Sequence, residues 1–165
     1  MLFGQNDRDR KVRSCHSRSS RRSTEGGDQA IGRSRGGLTT KIHAVVDALG
    51  NPVALSLTPG QVHDLTQAAS LLEEVEPEAF LADKAYDANA LIETLDKRRI
   101  TPVIPNNANR SIKRKTDFAL YRERNLVERF FCKLKGFRAI ATRYDKLANT
   151  FLGAVHLVSV LFWLN

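Results

Sequence analysis

Tyr121-Arg122-Glu123-Arg124-Asn125-Leu126-Val127-Glu128-Arg129-Phe130-Phe131-Cys132-Lys133-Leu134-Lys135 is the stretch from which the rest of the chain is read. Wound as a helix at about 100° per residue, it separates into two faces. Tyr121, Arg124, Glu128 and Lys135 fall within a wedge of about 60°. Leu126, Val127, Phe130 and Leu134 fall on the opposite side. Such a helix buries an apolar stripe and holds one acid among three donors on its other face. Taken alone it is a solvated, salt-bridged helix, in which a Glu with an Arg at i−4 contributes a few tenths of a kcal/mol. The sharper reading makes Glu128 a metal ligand, with Arg124 and Lys135 as phosphate-binding neighbours.

What lies upstream bears on the choice. Ala79-Phe80-Leu81-Ala82-Asp83 is short, apolar and ends on an acid. It reads as a buried central strand with Asp83 at its C-terminal edge, where α/β sheets place their ligands. The competing reading makes Asp83 the N-cap of a following turn. Asp87 is expected to cap a helix running to about Arg98, with Leu91, Ile92 and Leu95 inward. Residues 101–105 read as a further strand, whose Pro102 marks an edge or an irregular position. Residues 106–116 are polar and basic (Arg110, Lys113, Arg114, Lys115) and read as a loop. Gly136 is a suitable residue to close the helix that follows, and an apolar terminal helix begins near Ala148.

Nearer the start, residues 38–47 are rich in β-branched side chains and read as a strand. A turn over residues 48–51 returns the chain as a second strand, 52–58, making a hairpin. Asp64 with Gln67 has the spacing of a capping box, opening a helix to about Glu76 with Ala68, Leu71, Leu72 and Val75 inward. This order of elements gives an α/β fold, with a mixed sheet covered by helices on both faces.

The chain has 165 residues, 42% of them hydrophobic, enough for one domain with a real core. Its net charge is +8. A basic protein of this kind meets nucleic acid through counterion release; a ribosome-binding or membrane-surface protein is the competing class. The charge is uneven. Residues 1–37 carry nine Lys/Arg against four Asp/Glu, so +5, which leaves +3 for residues 38–165. Charge alone therefore does not argue for DNA. Residues 1–37 are rich in Arg, Ser and Gly and have no apolar period. They read as a largely disordered basic arm, either inert or in contact with DNA phosphates.

Cys15 and Cys132 show no CxxC spacing, and His16, His43, His63 and His156 form no HxxxH pair. Neither a disulfide framework nor a zinc site is indicated, and a reduced cytosol fits. No apolar run follows Met1, so no signal peptide is expected. The apolar run 151–164 is shorter than the roughly 20 residues that a spanning helix needs. It is expected to be a buried helix, with no membrane partner.

A strand-end Asp and a helix Glu can meet on one hard cation. Mg²⁺ takes oxygen ligands, often one or two carboxylates plus substrate phosphates. Two such ions can activate an attacking oxygen and stabilise a leaving one in phosphodiester cleavage. A polyanion brought to that site needs flanking cations, which Arg124 and Lys135 supply.

Here the residues match a family. The spacing of Tyr121, Arg124, Glu128 and Lys135 resembles the Tyr-Arg-Glu-Lys signature of bacterial insertion-sequence transposases of the DDE type. Asp83-Lys84-Ala85-Tyr86-Asp87 is similar to the segment around their second catalytic Asp. Gly32-Arg33-Ser34-Arg35-Gly36-Gly37-Leu38-Thr39-Thr40-Lys41-Ile42-His43 and Pro59-Gly60-Gln61-Val62-His63-Asp64 resemble two further family segments. The likeness covers about residues 26–165.

The resemblance implies a ribonuclease-H-like catalytic domain over residues 38–165. It implies an Asp-Asp-Glu triad holding Mg²⁺ or Mn²⁺, two ions if the triad is complete. The implied reaction is cleavage at insertion-sequence ends followed by strand transfer. DNA is the implied partner, as terminal inverted repeats and target, together with a second copy of the chain; the implied location is the bacterial cytoplasm, at the nucleoid. Asp83 and Glu128 become metal ligands. Tyr121, Arg124 and Lys135 position DNA, with Arg110, Lys113, Arg114 and Lys115 as further DNA contacts.

For the first acid the best placed residue is Asp9, seven positions before His16, with Asp7 second. Asp47 belongs to the hairpin turn. No apolar strand carries Asp7 or Asp9, so the first strand is expected to be missing or disordered. The alternative function is accordingly a DNA-binding transposase remnant that does not cut.

Overall fold

A computed structural model describes residues 2–4, 29–34 and 37–164. Asp7 and Asp9 lie outside the described residues, as does most of the 1–37 arm. The strands are β1 (Leu2–Gly4), β2 (Gly32–Ser34), β3 (Gly37–Val46), β4 (Pro52–Pro59), β5 (Ala79–Leu81) and β6 (Thr101–Val103). The helices are α1 (Asp64–Glu73), α2 (Asn89–Lys97), α3 (Phe118–Tyr121), α4 (Asn125–Lys135), α5 (Arg138–Thr142) and α6 (Ala148–Trp163). Short 3₁₀ turns stand at Lys84–Tyr86 and Arg122–Arg124.

β3 and β4 form the expected antiparallel hairpin, with Ile42 opposite Leu57 and Ala44 opposite Leu55. Asp47 organises its turn, accepting hydrogen bonds from the Leu49 and Asn51 amides at 2.8 and 2.9 Å. Gly50 there has φ of +88°, a left-handed value that a side chain would resist. β5 and β6 pair in parallel, Phe80 opposite Pro102. β6 has no second strand partner among the described residues, so Pro102 stands on an edge strand, where its missing donor is tolerated.

Strand alternation divides the core into two. Val45, Ala54, Phe80 and Ala82 pack with Leu71 and Leu72 of α1 and with Leu91, Ile92 and Leu95 of α2. Ala44, Val46, Leu81 and Val103 pack with Val127, Phe130 and Leu134 of α4, Ile140 of α5, and Phe151 and Val155 of α6. The result is a mixed α/β layer with helices on both faces.

The first strand corrects an expectation. It is neither missing nor disordered: Leu2, Phe3 and Gly4 pair antiparallel with Val45, Ala44 and His43, and β1 also lies against β5. It thus stands between the two ladders, which hydrogen bonding leaves as a four-stranded and a two-stranded sheet among the described residues. The physical reason is the burial of β3, whose Ala44, Val45 and Val46 are fully enclosed. Backbone groups there must find partners, and an apolar Leu-Phe dipeptide supplies them.

Local capping rules fail where a tertiary charge competes. The Asp64/Gln67 capping box does not form, since His63 is the N-cap of α1 and makes no side-chain bond. Asp64 instead meets Lys41 Nζ at 2.9 Å, both side chains being largely buried, and Gln67 accepts from Ser56 at 3.3 Å. A largely buried ammonium needs its counter-charge more than a helix needs its cap. α1 also stops at Glu73 rather than Glu76. Gly136 stays right-handed (φ −61°), because the chain turns directly into α5. α6 is buried on one face only: Phe151, Val155 and Ser159 are enclosed, whereas Leu157, Val160, Leu161 and Leu164 are exposed. No helix among the described residues is long and apolar enough to cross a membrane.

Residues 29–34 fall within the stretch read as an arm; Gly32–Ser34 pair with β3, and Gln29 and Ala30 are bonded to Arg143 and α6. Arg143, 7% exposed, donates to the Gln29 carbonyl at 2.7 Å, to the Ala30 carbonyl at 3.1 Å and to the Thr40 hydroxyl. Its guanidinium stacks 4.8 Å from the Phe151 ring centroid. Gln29 Oε1 accepts from the Ala148 amide at 2.9 Å and so caps α6.

His43 is buried in β3, its Nε2 2.7 Å from the Thr58 hydroxyl. Burial pushes its pKa down to about 4; Asp64 opposes this and Lys41 adds to it. The folded state therefore favours neutral imidazole, while the unfolded chain takes up a proton near pH 6.5. The stability that follows is whole above pH 6.5 and is lost progressively as pH falls to 4, by roughly 3 kcal/mol. Urea denaturation across that range should show the loss, and His43→Gln, less stable at pH 7.5, should lack this part of the slope.

Candidate active site and nucleic-acid interface

β5 ends in Phe80 and Leu81, fully buried like the Ala82 that follows, and the ladder runs one residue past the strand, the Ala82 amide donating to the Val103 carbonyl at 3.4 Å. The next residue, Asp83, is exposed and still extended (φ −74°, ψ 165°). Alternation gives it the parity of Leu81, which packs against α4. Its carboxylate accepts from the Ala85 amide and caps the 3₁₀ turn Lys84–Tyr86. One oxygen thus caps a turn while the group stands exposed at the end of the strand.

The decisive stretch, residues 121–135, is not one α-helix. α3 tightens into the 3₁₀ turn Arg122–Arg124 before α4 begins. The polar wedge survives this change of pitch. The Arg124 guanidinium lies 5.6 Å from the Tyr121 ring centroid and is paired with the Glu128 carboxylate. Glu128 keeps 40% of its side chain exposed. On the other face Val127, Phe130, Phe131 and Leu134 are buried. Phe131 joins the expected set because the helices closing over α4 widen its covered face, whereas Leu126 is only half-buried, against Gly50. Lys135 is half-buried.

The basic loop holds what sequence reasoning missed. Asp87 does not cap α2; the N-cap is Ala88, with no side-chain bond. Only 1% of the Asp87 side chain is exposed, and it carries ion pairs to both Arg110 and Arg114. It also accepts from the Asn107 amide at 2.7 Å. Burial alone would raise its pKa. The Asn107 amide and the charges of Arg114 and Arg110 outweigh burial and hold it below the usual carboxylate range. Arg110 also donates to Asn89, and Asn106 bonds both backbone groups of Arg114, donating to its carbonyl at 2.7 Å and accepting from its amide at 2.9 Å. Of the four loop cations, Arg110 and Arg114 are therefore engaged internally, whereas Lys113 and Lys115 are exposed. The only hint in the sequence was four cations in a loop with no acid of its own.

Asp83 and Glu128 are each water-accessible, and each offers carboxylate oxygens, the donor chemistry of Mg²⁺ or Mn²⁺. Among the described residues no three His, Cys, Asp or Glu side chains cluster tightly enough to hold a metal. The described part of β1 carries Leu2, Phe3 and Gly4, none of them an acid.

The model of the family described as "Transposase DDE domain" matches residues 9–163. The putative transposase for insertion sequence element IS6501 of Brucella ovis is 43% identical over 130 residues, 78% of this chain and all of that protein. The putative transposase for insertion sequence element IS402 of Burkholderia cepacia is 32% identical over 124 residues, 67% of this chain and 56% of that protein. No solved structure matches.

The carboxylates here are of two kinds, and removing them should separate the two. Glu128→Gln breaks a solvated i,i+4 pair and should change folding stability by less than about 0.5 kcal/mol. Asp87→Ala leaves two guanidiniums without their buried counter-charge and should cost roughly 3 kcal/mol. Chemical denaturation of the two variants at pH 7.5 checks both figures.

Proposed function

The chain belongs to the transposase DDE domain family, and from that premise we propose that it is a DNA transposase whose ribonuclease-H-like domain cleaves insertion-sequence ends and transfers the freed strand to target DNA. The observation that carries the reading is the exit of Asp83 from a strand buried on both faces. It leaves on the parity that faces α4, the helix bearing Glu128 beside Arg124 and Tyr121.

In this reading Asp83 and Glu128 hold Mg²⁺ or Mn²⁺. Bound there, the ion would polarise the scissile phosphodiester and activate the attacking oxygen. The protein's own groups do the rest. Arg124 is held by Glu128 and by the Tyr121 ring, so its guanidinium is oriented before DNA arrives and can neutralise a phosphate near the reacting centre. Lys135 adds charge along the same helix, and the basic loop adds it from the β6 side. Terminal inverted repeats and target DNA are the proposed partners. Pairing of two ends would take two copies of the chain, at the bacterial nucleoid.

A second reading is favoured by the composition of β1. With Leu2, Phe3 and Gly4 beside β3, the ladder that should bring the first acid carries none in its described part. The chain is then a DNA-holding remnant, and Asp9 supplies nothing.

Two measurements separate these readings. Calorimetric titration with Mn²⁺ should show binding that Asp83→Asn and Glu128→Gln each weaken at least tenfold; unchanged affinity in both would sink the metal site. Incubation with terminal-repeat DNA and Mn²⁺ should give nicking that Glu128→Gln abolishes. If the chain leaves the DNA intact while a version with an Asp-bearing first strand cuts it, the remnant reading stands. DNA binding that survives both Glu128→Gln and chelation would agree with that outcome.

A further inference from the structure

Residues 105–116 include no fully buried side chain, and Ile112, the large apolar residue of the segment, is 82% exposed. A loop of this length without regular structure usually moves or has a function, and this one has no hydrophobic anchor. Polar bonds hold it, and they converge on Asp87. Arg110, Arg114 and the Asn107 amide all end on that one enclosed carboxylate. Asn106 ties the base of the loop to Arg114, and the Thr116 hydroxyl donates to the Ile104 carbonyl at 3.3 Å. The two arginines are about four-fifths buried, with 19% and 22% of their side chains exposed. Lys113 and Lys115, one on each side of Arg114, stand in water.

From this division of labour we infer that Asp87 is a positioning residue for DNA: it fixes Arg110 and Arg114 as internal struts, and the loop they shape presents Lys113 and Lys115 to the phosphates of a DNA duplex. Four cations would then give only two phosphate contacts. The inference rests on the DNA reading above and refines it. Asp87 lies four residues after Asp83, across the 3₁₀ turn that Asp83 caps. The same short connection therefore sets both the rim carboxylate and the phosphate-bearing loop. A rigid loop meets the backbone without first losing conformational freedom, which lowers the cost of binding.

The salt dependence of binding gives opposite signs for the two possible roles of the arginines. Each phosphate contact adds about 0.9 to the slope of log K against log salt on duplex DNA. Binding of the full chain to a labelled duplex is measured between 50 and 200 mM salt, alongside the melting temperature of each variant. Lys113→Gln with Lys115→Gln should lower the slope by about 2, so that affinity falls about 12-fold less across this range. Asp87→Asn keeps every cation but frees the loop, and should weaken binding and lower the slope by a similar amount. Added to the lysine pair, it should change the slope little. Asn106→Ala, which loosens the loop without touching the buried charge, should move the slope the same way and keeps the test open if Asp87→Asn fails to fold. Tighter binding by Asp87→Asn with an equal or steeper slope would show that the arginines themselves grip phosphate, and overturns the inference. An unchanged slope in the lysine pair overturns it too. Failure of the unaltered chain to bind duplex DNA even at 50 mM salt defeats the DNA reading itself, an outcome distinct from the other two.

Discussion

The C-terminal part of β3, residues 43–46, is enclosed on both faces and hydrogen-bonded on both edges, and the rest of the molecule follows from satisfying it. Its consecutive Ala44, Val45 and Val46 leave no polar face, so helices must cover both sides. Buried amides and carbonyls cannot be left unpaired at acceptable cost, so both edges must be filled. β4 fills one edge through a tight turn. β1, only three residues long, fills the other and brings β5 into the same layer. Asp83 owes its position at the rim to that layer.

Charge is sorted by burial. Asp64 and Asp87 are enclosed, and each carries a cation that would be costly without it: Lys41 for the first, Arg110 and Arg114 for the second. Asp83 and Glu128 lie where water reaches them, with lighter attachments. Enclosed carboxylates fix the scaffold, and open ones keep their contact with water. Arg143 plays the corresponding part for the termini. It ties residues 29 and 30 to the connection between α5 and α6 by hydrogen bonds from one guanidinium to the carbonyls of Gln29, Ala30, Asp145 and Lys146, a planar fork suited to several carbonyls at once.

Much of this was legible from period and composition. The hairpin, the buried strand ending at Asp83, the apolar face of α4 and the edge position of Pro102 rest on local pattern, and local pattern is what a linear reading sees. The readings that failed share a cause. The Asp64 cap and the Asp87 cap are local motifs overruled by partners distant in sequence: Lys41 for Asp64, Arg110 and Arg114 for Asp87. The exposed side of α6 went unseen because an apolar run does not reveal how many of its faces meet a core.

The sequence by itself determined the α/β class of the fold, the order of its main elements from β3 onward, and the places of an Asp at a strand end and a Glu on an amphipathic helix. Those depend on periodicity, which is written along the chain. Only the tertiary structure decided that three residues at the start pair with β3, that Arg143 bonds residues 29 and 30 to the connection between α5 and α6, and that two of the loop's four cations are bonded internally. Each of these follows from an enclosed polar group seeking the nearest partner in space, and nearness in space is not written in the order of the residues.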